Sequence, residues 1–180
     1  MIGPKLYEAN WLELQRLGFI ARVQCAEVWC PMSPEFYSQY AFNGKLSTRT
    51  KKRLCWLNPN KFRMVNYLIT FHERRKEKII VFCDDELTLK HYAVALGKLF
   101  LRGDTSQNET RHILLNFREN PNLKTLFVGN VTDRVELPDA NVFIQISLNR
   151  FFQQVARRLG RIVTLVSGGC NSLCSRALFR

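Results

Sequence analysis

Residues 78–83 read K-I-I-V-F-C, a short and nearly continuous apolar run. A strand that is buried on both faces of a parallel sheet has this composition, because helices cover both of its faces. Asp84 and Asp85 follow the run, and a helix-like segment, 86–96, comes next and ends at Gly97. The stretch therefore predicts one strand-and-helix unit of an α/β sheet, with Asp85 as the cap of the helix.

The alternation of strand and helix continues on both sides of this run. Asn58 and Pro59 open a helix-like segment before it, and a capping box at residues 106–109 opens another after it. Further strands are predicted at residues 99–102, 124–129 and 141–147. The pattern predicts an α/β fold with a parallel sheet flanked by helices, whose ligands bind at the carboxyl ends of the strands.

A cluster of arginines follows the last of these predicted strands. Residues 153–161 read Q-Q-V-A-R-R-L-G-R. On a helix Arg157 and Arg161 lie four residues apart and share a face, whereas Arg158 is rotated away from them. Planar guanidinium groups suit phosphate, and Gly160 leaves room for a ligand. The stretch is therefore either an anion site at the carboxyl edge or a solvated basic helix.

Composition favours a single folded unit with a polyanionic partner. The 180 residues are 46% hydrophobic, and Lys and Arg outnumber Asp and Glu by 27 to 15, which gives a net charge of +12. Residues 43–53, N-G-K-L-S-T-R-T-K-K-R, contain no acid and are predicted to be an exposed loop. There Lys51, Lys52 and Arg53 either keep the chain soluble or contact DNA phosphates.

Other classes of function are disfavoured by the same residues. No apolar run reaches the about 18 residues of a membrane span, so no membrane partner is predicted. The cysteines and histidines lack the paired spacing of a zinc site, and no metal is predicted. Asp84 and Asp85 are similar to a magnesium-binding acidic pair, but no glycine-rich phosphate loop precedes them. The chain alone is not expected to hydrolyse a nucleotide, although it can supply half of a site.

Several runs of the chain resemble the XPB-type superfamily 2 DNA helicases of the eukaryotic transcription and repair factor TFIIH. The longest is V-Q-C-A-E-V-W-C-P-M-S-P-E-F-Y at residues 23–37, and others are N-P-N-K-F-R, F-H-E-R-R, K-I-I-V-F, T-S-Q and R-L-G-R. The resemblance ends after Ile162 and implies the C-terminal, second RecA-like lobe of such a helicase, divergent and truncated. Residues 1–55 would be the connecting arm from an absent first lobe plus the basic loop, 56–164 the lobe, and 165–180 an unrelated tail. A degenerate paralogue and a truncated gene product would both give this pattern.

The resemblance also implies a function and partners. The family members are 3′–5′ DNA helicases that act in transcription initiation and nucleotide excision repair in the nucleus. ATP and magnesium bind between their two lobes, and the phosphate loop lies on the first lobe. This chain is therefore expected to use ATP and magnesium only together with a first lobe, and to contact double-stranded DNA backbone and TFIIH core subunits.

Residue roles follow from position in the family motifs. Arg158 and Arg161 match the motif Q-R-L-G-R-x-x-R, which implies catalytic arginines, with Arg161 as the finger that reaches the γ-phosphate. Arg157, Gly160 and Asp133 are implied to lie at the nucleotide.

The family's DNA-facing turns match two places in the chain. Asp84 ends the strand and turn whose following loop tracks the DNA backbone in this family. Gly103, Thr105 and Ser106 match the next such turn, where the amides of a capped helix start suit phosphate.

Departures from the family pattern leave two hypotheses open. Arg157 replaces the leading Gln of the arginine motif, and Thr164 replaces its final Arg. The loop at residues 131–138, V-T-D-R-V-E-L-P, is one residue shorter than the family's, with Arg134 in place of a small hydroxyl residue. The chain is either half of an ATPase or a non-catalytic module that binds DNA or TFIIH-type partners. An unrelated RNA-binding protein is supported only by the charge.

Overall fold

The computed structural model describes residues 10, 13, 16–17, 23–42, 44, 46–129, 140–147 and 174–179. The strands in these ranges are β1 (Val23–Val28), β2 (Ile79–Phe82), β3 (Leu99–Leu101), β4 (Thr125–Val128), β5 (Val142–Gln145) and β6 (Cys174–Phe179). The helices are α1 (Pro34–Phe42), α2 (Thr48–Trp56), α3 (Pro59–Arg74), α4 (Glu86–Ala95) and α5 (Gln107–Glu119). All six strands form one parallel sheet in the order β1-β6-β5-β2-β4-β3, which confirms the predicted α/β class.

Strand β2 lies inside the sheet, between β5 and β4. Ile79 pairs with Val142 of β5 on one side and with Thr125 of β4 on the other. All four residues of β2 are buried, as the continuous apolar run predicts. Water is therefore excluded from both faces of this strand.

The side chains of β2 alternate between two hydrophobic clusters. Ile79 and Val81 pack in the cluster that also contains buried residues of α3 and α4. Ile80 and Phe82 pack in the cluster that contains Phe117 of α5. Two helices cover one face of the sheet and α5 covers the other, so the sheet is the middle layer of three.

The predicted helix ends are confirmed at three positions. The Asn58 side chain accepts a hydrogen bond from the Asn60 amide at 3.3 Å and caps α3. Ser106 Oγ accepts one from the Glu109 amide at 3.2 Å and caps α5. Gly97, just after α4, has a φ of +61°, a conformation that glycine adopts without strain.

The predicted loop at residues 43–53 is wrong from Thr48 onward, because α2 begins there. Lys and Arg are good helix formers, and Ser47 Oγ caps the helix by accepting from the Thr50 amide at 3.2 Å. Trp56, at the other end, packs against the core, and its carbonyl accepts a 2.7 Å hydrogen bond from Tyr92 Oη. Capping and packing at the two ends thus offset the repulsion among the basic side chains.

The sheet extends beyond the predicted limits of the lobe at residues 56 and 164. Strand β1 comes from the predicted arm and β6 from the predicted tail, and β6 pairs with both β1 and β5. The arm is also tied to α3, because the Asn58 side chain donates to the Pro31 carbonyl at 2.9 Å and accepts from the Ser33 amide at 3.1 Å. The arm, the predicted lobe and the tail therefore contribute to one sheet.

Lysines form hydrogen bonds at the amino-terminal edge of the sheet, where the parallel strands begin. Lys78 Nζ, just before β2, donates to the carbonyls of Phe117, Asn120 and Leu123 at the end of α5. A cation there satisfies carbonyls that have no partner within the helix. Burial lowers the pKa of Lys78.

Glu73, near the end of α3, lies at this same amino-terminal edge. Its Oε1 accepts from Lys98 Nζ and from Thr125 Oγ1, both at 2.6 Å, and its carbonyl accepts from Lys124 Nζ at 3.0 Å. These partners stand immediately before or at the start of β3 and β4.

None of the helices in the described ranges is long and apolar enough to cross a membrane.

Gly129, after β4, is a position where a side chain does not fit. A Cβ there would lie 3.1 Å from Leu89 Cδ2 and 3.3 Å from the Leu101 carbonyl oxygen. Leu89 is buried in the core, and the Leu101 carbonyl accepts a 2.9 Å hydrogen bond from the Gly129 amide, so neither neighbour moves easily.

We predict that Gly129→Ala lowers the free energy of unfolding by about 1 to 3 kcal/mol, the range for overpacking. Urea denaturation followed by tryptophan fluorescence measures the change. Gly44→Ala is the matched control, because a Cβ at Gly44 meets nothing within 4 Å, and it should stay within about 0.5 kcal/mol of the parent chain. Equal effects of the two substitutions would contradict the prediction.

Candidate functional site at the carboxyl edge of the sheet

Asp84 joins the carboxyl ends of β2 and β5. Its amide donates to Ser147 Oγ at 2.9 Å, and Ser147 Oγ donates to Asp84 Oδ2 at 3.0 Å. Ser147 is buried, with 1% of its surface exposed. Sequence reasoning missed Ser147, and its only signal was a polar residue at the end of a predicted strand. Asp84 is therefore held in place at the edge where the prediction located it.

Asp85 is bonded to two helices at this edge. Its Oδ2 accepts from the Thr88 amide at 3.1 Å and from Thr88 Oγ1 at 2.9 Å, which caps α4 as predicted. Arg53 Nε lies 3.0 Å from both carboxylate oxygens, and Arg53 Nη2 donates to Oδ1 at 2.9 Å. The carboxylate side chain is only 5% exposed, so one buried charge caps α4 and holds α2.

The same contacts explain the acidity of Asp85. Burial by itself raises the pKa of this carboxyl, but the hydrogen bonds from Arg53 and from the backbone and side chain of Thr88 outweigh it. The pKa of Asp85 therefore lies below its ordinary value of 3.8. Asp85 is a carboxylate at neutral pH.

The basic residues of α2 divide into two groups. The Arg53 guanidinium is engaged with Asp85, so its structural role competes with the predicted contact to DNA. Arg49 Nη2 lies 3.8 Å from Asp85 Oδ1 but its side chain is 74% exposed. Lys52 is exposed, and Lys51 Nζ lies 5.8 Å from the centre of the Tyr40 ring. The ion pair thus fixes α2 in place while Lys52 and Arg49 face solvent.

The turn between β3 and α5 is built as a helix N-terminus at this edge. Thr105 Oγ1 accepts from the Arg102 amide at 3.1 Å, and the Thr105 amide donates to the Arg102 carbonyl at 3.3 Å. Gly103 is exposed within this turn, and Ser106 caps the helix that follows. The first-turn amides of a capped helix and its positive dipole end are suited to a phosphate group.

Asp84 and Asp85, the pair similar to a magnesium-binding acidic pair, have partners within the chain. Asp84 is bonded to Ser147, and Asp85 is bonded to Arg53 and Thr88. Across the described ranges, no group of three or more His, Cys, Asp or Glu side chains is placed to hold a metal ion. The acidic pair is therefore a structural element of the edge.

The predicted nucleotide-contacting residues lie outside the described residues. They are Asp133, Arg157, Arg158, Gly160 and Arg161. Thr164 and the loop at residues 131–138 lie outside them as well. Their roles stay predictions.

The fold is shared with solved structures of other proteins, among them an ATPase domain. The C-terminal domain of the Sulfolobus solfataricus SWI2/SNF2 ATPase superposes with a TM-score of 0.61 at 16% identity, covering 87% of this chain and 79% of that one. T4 UvsW gives a TM-score of 0.66 at 10% identity, covering 89% of this chain and 33% of that one. Identities this low show the fold alone. The fold class defined by the sheet and its helices is that of the C-terminal domain of this SWI2/SNF2 ATPase.

Residues 14–172 match the family model described as ERCC3/RAD25/XPB C-terminal helicase, and the chain belongs to this family. It is 54% identical to the general transcription and DNA repair factor IIH helicase/translocase subunit XPB of Danio rerio over 172 residues, which are 93% of this chain and 21% of the relative. It is 48% identical over 165 residues to the XPB/SSL2 subunit of Saccharomyces cerevisiae, covering 91% of this chain and 19% of the relative.

The chain spans about a fifth of the length of these curated relatives. The predicted family is confirmed. The family match continues to residue 172, beyond Ile162, where the sequence resemblance was expected to end.

The lowered pKa of Asp85 makes the stability of the chain depend on acid. A group with a depressed native pKa contributes stability above its unfolded pKa, and the contribution is lost as pH falls through the native pKa. We therefore predict that the free energy of unfolding decreases as the pH drops below about 4. The decrease should be smaller in Asp85→Asn, which keeps an amide cap but cannot titrate. Urea denaturation at a series of pH values measures both chains.

The decisive quantity is the unfolding free energy of the parent chain minus that of Asp85→Asn. This difference should be constant at pH values above the ordinary Asp85 pKa of 3.8 and should become smaller at lower pH. A difference that stays the same at every pH would show that the Asp85 charge does not contribute to stability.

Proposed function

We propose that this chain is the second lobe of an ATP-dependent DNA translocase of the XPB type, acting in transcription initiation and nucleotide excision repair. The observation that carries the proposal is the carboxyl edge of the sheet, where a capped helix N-terminus and a docked basic helix occur in a member of this family. The relatives at 48–54% identity are named helicase/translocase subunits of general transcription and DNA repair factor IIH.

The DNA backbone would meet two features of this edge. The first is the turn at Gly103, Thr105 and Ser106, whose helix amides suit a phosphate oxygen. The second is α2, with Lys52 and Lys51 on its surface. Backbone contacts of this kind position a duplex without reading its sequence, as a translocase requires. The structure of the related Sulfolobus solfataricus ATPase core is a complex with double-stranded DNA.

Arg53 would serve this surface indirectly. Because its guanidinium is held by Asp85, it keeps α2 against the start of α4. An Asp84 that is joined to Ser147 likewise holds the adjoining turn. We assign Arg53 and Asp85 to the positioning of the DNA surface, and Lys51 and Lys52 to direct phosphate contact.

The arginine stretch would complete an ATPase site with a first lobe. Arg161 would act as the finger that stabilises charge on the transferred phosphoryl group, with Arg158 beside it. Arg157, Gly160 and Asp133 would line the nucleotide. ATP and magnesium would be supplied with the first lobe, since this chain has no glycine-rich phosphate loop. The other partners would be TFIIH core subunits, and the location would be the nucleus.

A second candidate is a non-catalytic module with the same fold and DNA surface. Two departures from the family motifs favour it: Thr164 in place of the final Arg, and the shortened loop at residues 131–138. These positions are not among the residues proposed to contact DNA, so the proposed DNA surface is the same in both candidates. Binding and hydrolysis therefore need separate tests.

For DNA binding, we predict that affinity for a duplex of about 20 base pairs falls steeply as salt is added. The logarithm of the affinity should fall with the logarithm of the salt concentration, with a slope of about 0.9 per neutralised phosphate. Replacing both Lys51 and Lys52 by Gln should weaken binding and reduce the slope by about one to two units. Fluorescence anisotropy at several salt concentrations measures both quantities.

Lys76→Gln is the matched control for this experiment. Lys76 is exposed and carries the same charge, but it follows α3 at the amino-terminal edge. The Lys76→Gln substitution should leave the salt dependence of the affinity within a fraction of a unit of the parent slope. An affinity that does not respond to salt, or equal effects of the two sets of variants, would exclude the proposed DNA surface.

For hydrolysis, we predict that DNA-stimulated ATPase activity appears only when the chain is mixed with a separately expressed first lobe of the same family. Arg161→Ala should reduce the rate by about 10³-fold or more, the effect of losing an arginine finger. Arg111→Ala, at an exposed arginine of α5, is the control and should keep the rate. A mixture that associates and binds DNA but does not hydrolyse ATP would favour the non-catalytic module.

A further inference from the structure

The exposed side of α3 carries an aromatic pair flanked by arginines. Arg63, Tyr67, Phe71 and Arg74 are spaced by four, four and three residues, so they lie along one stripe of the helix. All four are exposed, whereas Val65 and the other buried residues of α3 face the sheet. We call these four residues the α3 stripe.

The aromatic rings of the stripe are open to solvent and stacked. Tyr67 is 63% exposed and Phe71 is 43% exposed. Their ring centres lie 6.3 Å apart with an angle of 24° between the planes. Arg75 extends the stack, because its guanidinium carbon lies 5.5 Å from the centre of the Phe71 ring. Large neighbouring aromatic rings left in water mark a surface that a partner covers.

The charges along the stripe are all of one sign. Two nearby carboxylates are bonded to other groups of the chain: Glu73 binds Lys98 and Thr125 at the edge of the sheet, and Glu77 binds His72 and Arg75, the arginine that lies over the Phe71 ring. Arg63 and Arg74 are both exposed at the ends of the aromatic pair. A partner that fits this surface carries negative charge on either side of an apolar group.

The position of the stripe argues against DNA as that partner. Glu73, two residues beyond Phe71 and next to Arg74, is bonded to residues at the starts of β3 and β4. The Phe71 end of the stripe is therefore at the amino-terminal edge of the sheet. The helix start at Ser106 and the Asp85–Arg53 pair lie at the carboxyl edge, at the other end of the strands. A duplex that follows the carboxyl edge would therefore lie at the other end of the strands from Phe71 and Arg74.

We propose that the α3 stripe docks an acidic protein segment that carries aromatic side chains. Its aromatic groups pack on Tyr67 and Phe71, and its carboxylates pair with Arg63 and Arg74. Arginine binds carboxylate with two parallel hydrogen bonds, and aromatic side chains give a contact that excludes water from those ion pairs. The proposal does not depend on ATP hydrolysis or on the DNA surface.

The experiment uses a fluorescein-labelled peptide of about 15 residues that contains two phenylalanines and is otherwise rich in Asp and Glu. The two phenylalanines are four residues apart, because this spacing places them on one face of a helical partner. Binding to the full chain is measured by anisotropy. Replacing Tyr67 and Phe71 together by Ser should weaken the peptide affinity about tenfold or more. Replacing Arg63 and Arg74 together by Gln should have a similar effect and should reduce its salt dependence.

Three controls make the outcome specific to the stripe. Leu115→Ser changes another exposed apolar residue, 45% exposed on α5, and should leave affinity unchanged. A peptide with Ser in place of Phe, and one with Asn and Gln in place of Asp and Glu, should both bind weakly. Tyr67→Ser alone is the milder variant if the double variant loses its helical circular dichroism signal.

Competition with duplex DNA separates this proposal from the DNA surface. Excess duplex should not displace the peptide, and the Tyr67 and Phe71 variants should keep the duplex affinity of the parent chain. Displacement of the peptide by duplex, or tighter binding of a single-stranded oligonucleotide through Tyr67 and Phe71, would identify the stripe as a nucleic-acid surface and overturn the proposal. So would peptide binding that is absent or unaffected by the stripe variants.

Discussion

The carboxyl edge of this lobe depends on one buried carboxylate. Asp85 follows the central strand β2, caps α4 through Thr88 and accepts two-pronged hydrogen bonding from Arg53 of α2. A carboxylate that is 5% exposed is stable only when such donors surround it. The need to satisfy this charge therefore determines where α2 lies. The basic helix, the start of α4 and the end of β2 are joined at a single point, beside the residues proposed to contact DNA.

The high positive charge of the chain has more than one physical role. Lys78 binds the last carbonyls of α5, and Lys98 and Lys124 bind Glu73, all at the amino-terminal edge. Arg53 is used at the other edge to neutralise Asp85. These cations close helix ends and satisfy buried partners, so they are not available to a polyanion. The excess charge that remains for partners lies on exposed residues such as Lys52 and Arg74.

Parallel topology separates the surfaces of the lobe. All described strands run in the same direction, so strand ends and helix starts gather at one edge while helix ends and strand starts gather at the other. The proposed DNA contacts use the first edge, where helix dipoles are positive. The α3 stripe approaches the second edge, where its arginines and aromatic rings face outward. The proposed contacts with nucleic acid and with a protein segment therefore lie towards opposite ends of the strands.

The sequence by itself determined the local elements and the family. Continuous apolar runs identified β2, β4 and β5, and Asn58, Asp85, Ser106 and Gly97 marked helix ends, because burial and capping act through residues that are close in the chain. Only the tertiary structure decided that the basic stretch forms α2, that β1 and β6 join the sheet, and that Arg53 binds Asp85 and Asp84 binds Ser147. Those contacts join residues 32 and 63 positions apart. Periodicity and capping rules cannot indicate them, since such a pairing depends on which buried charge or polar group is brought close by the fold.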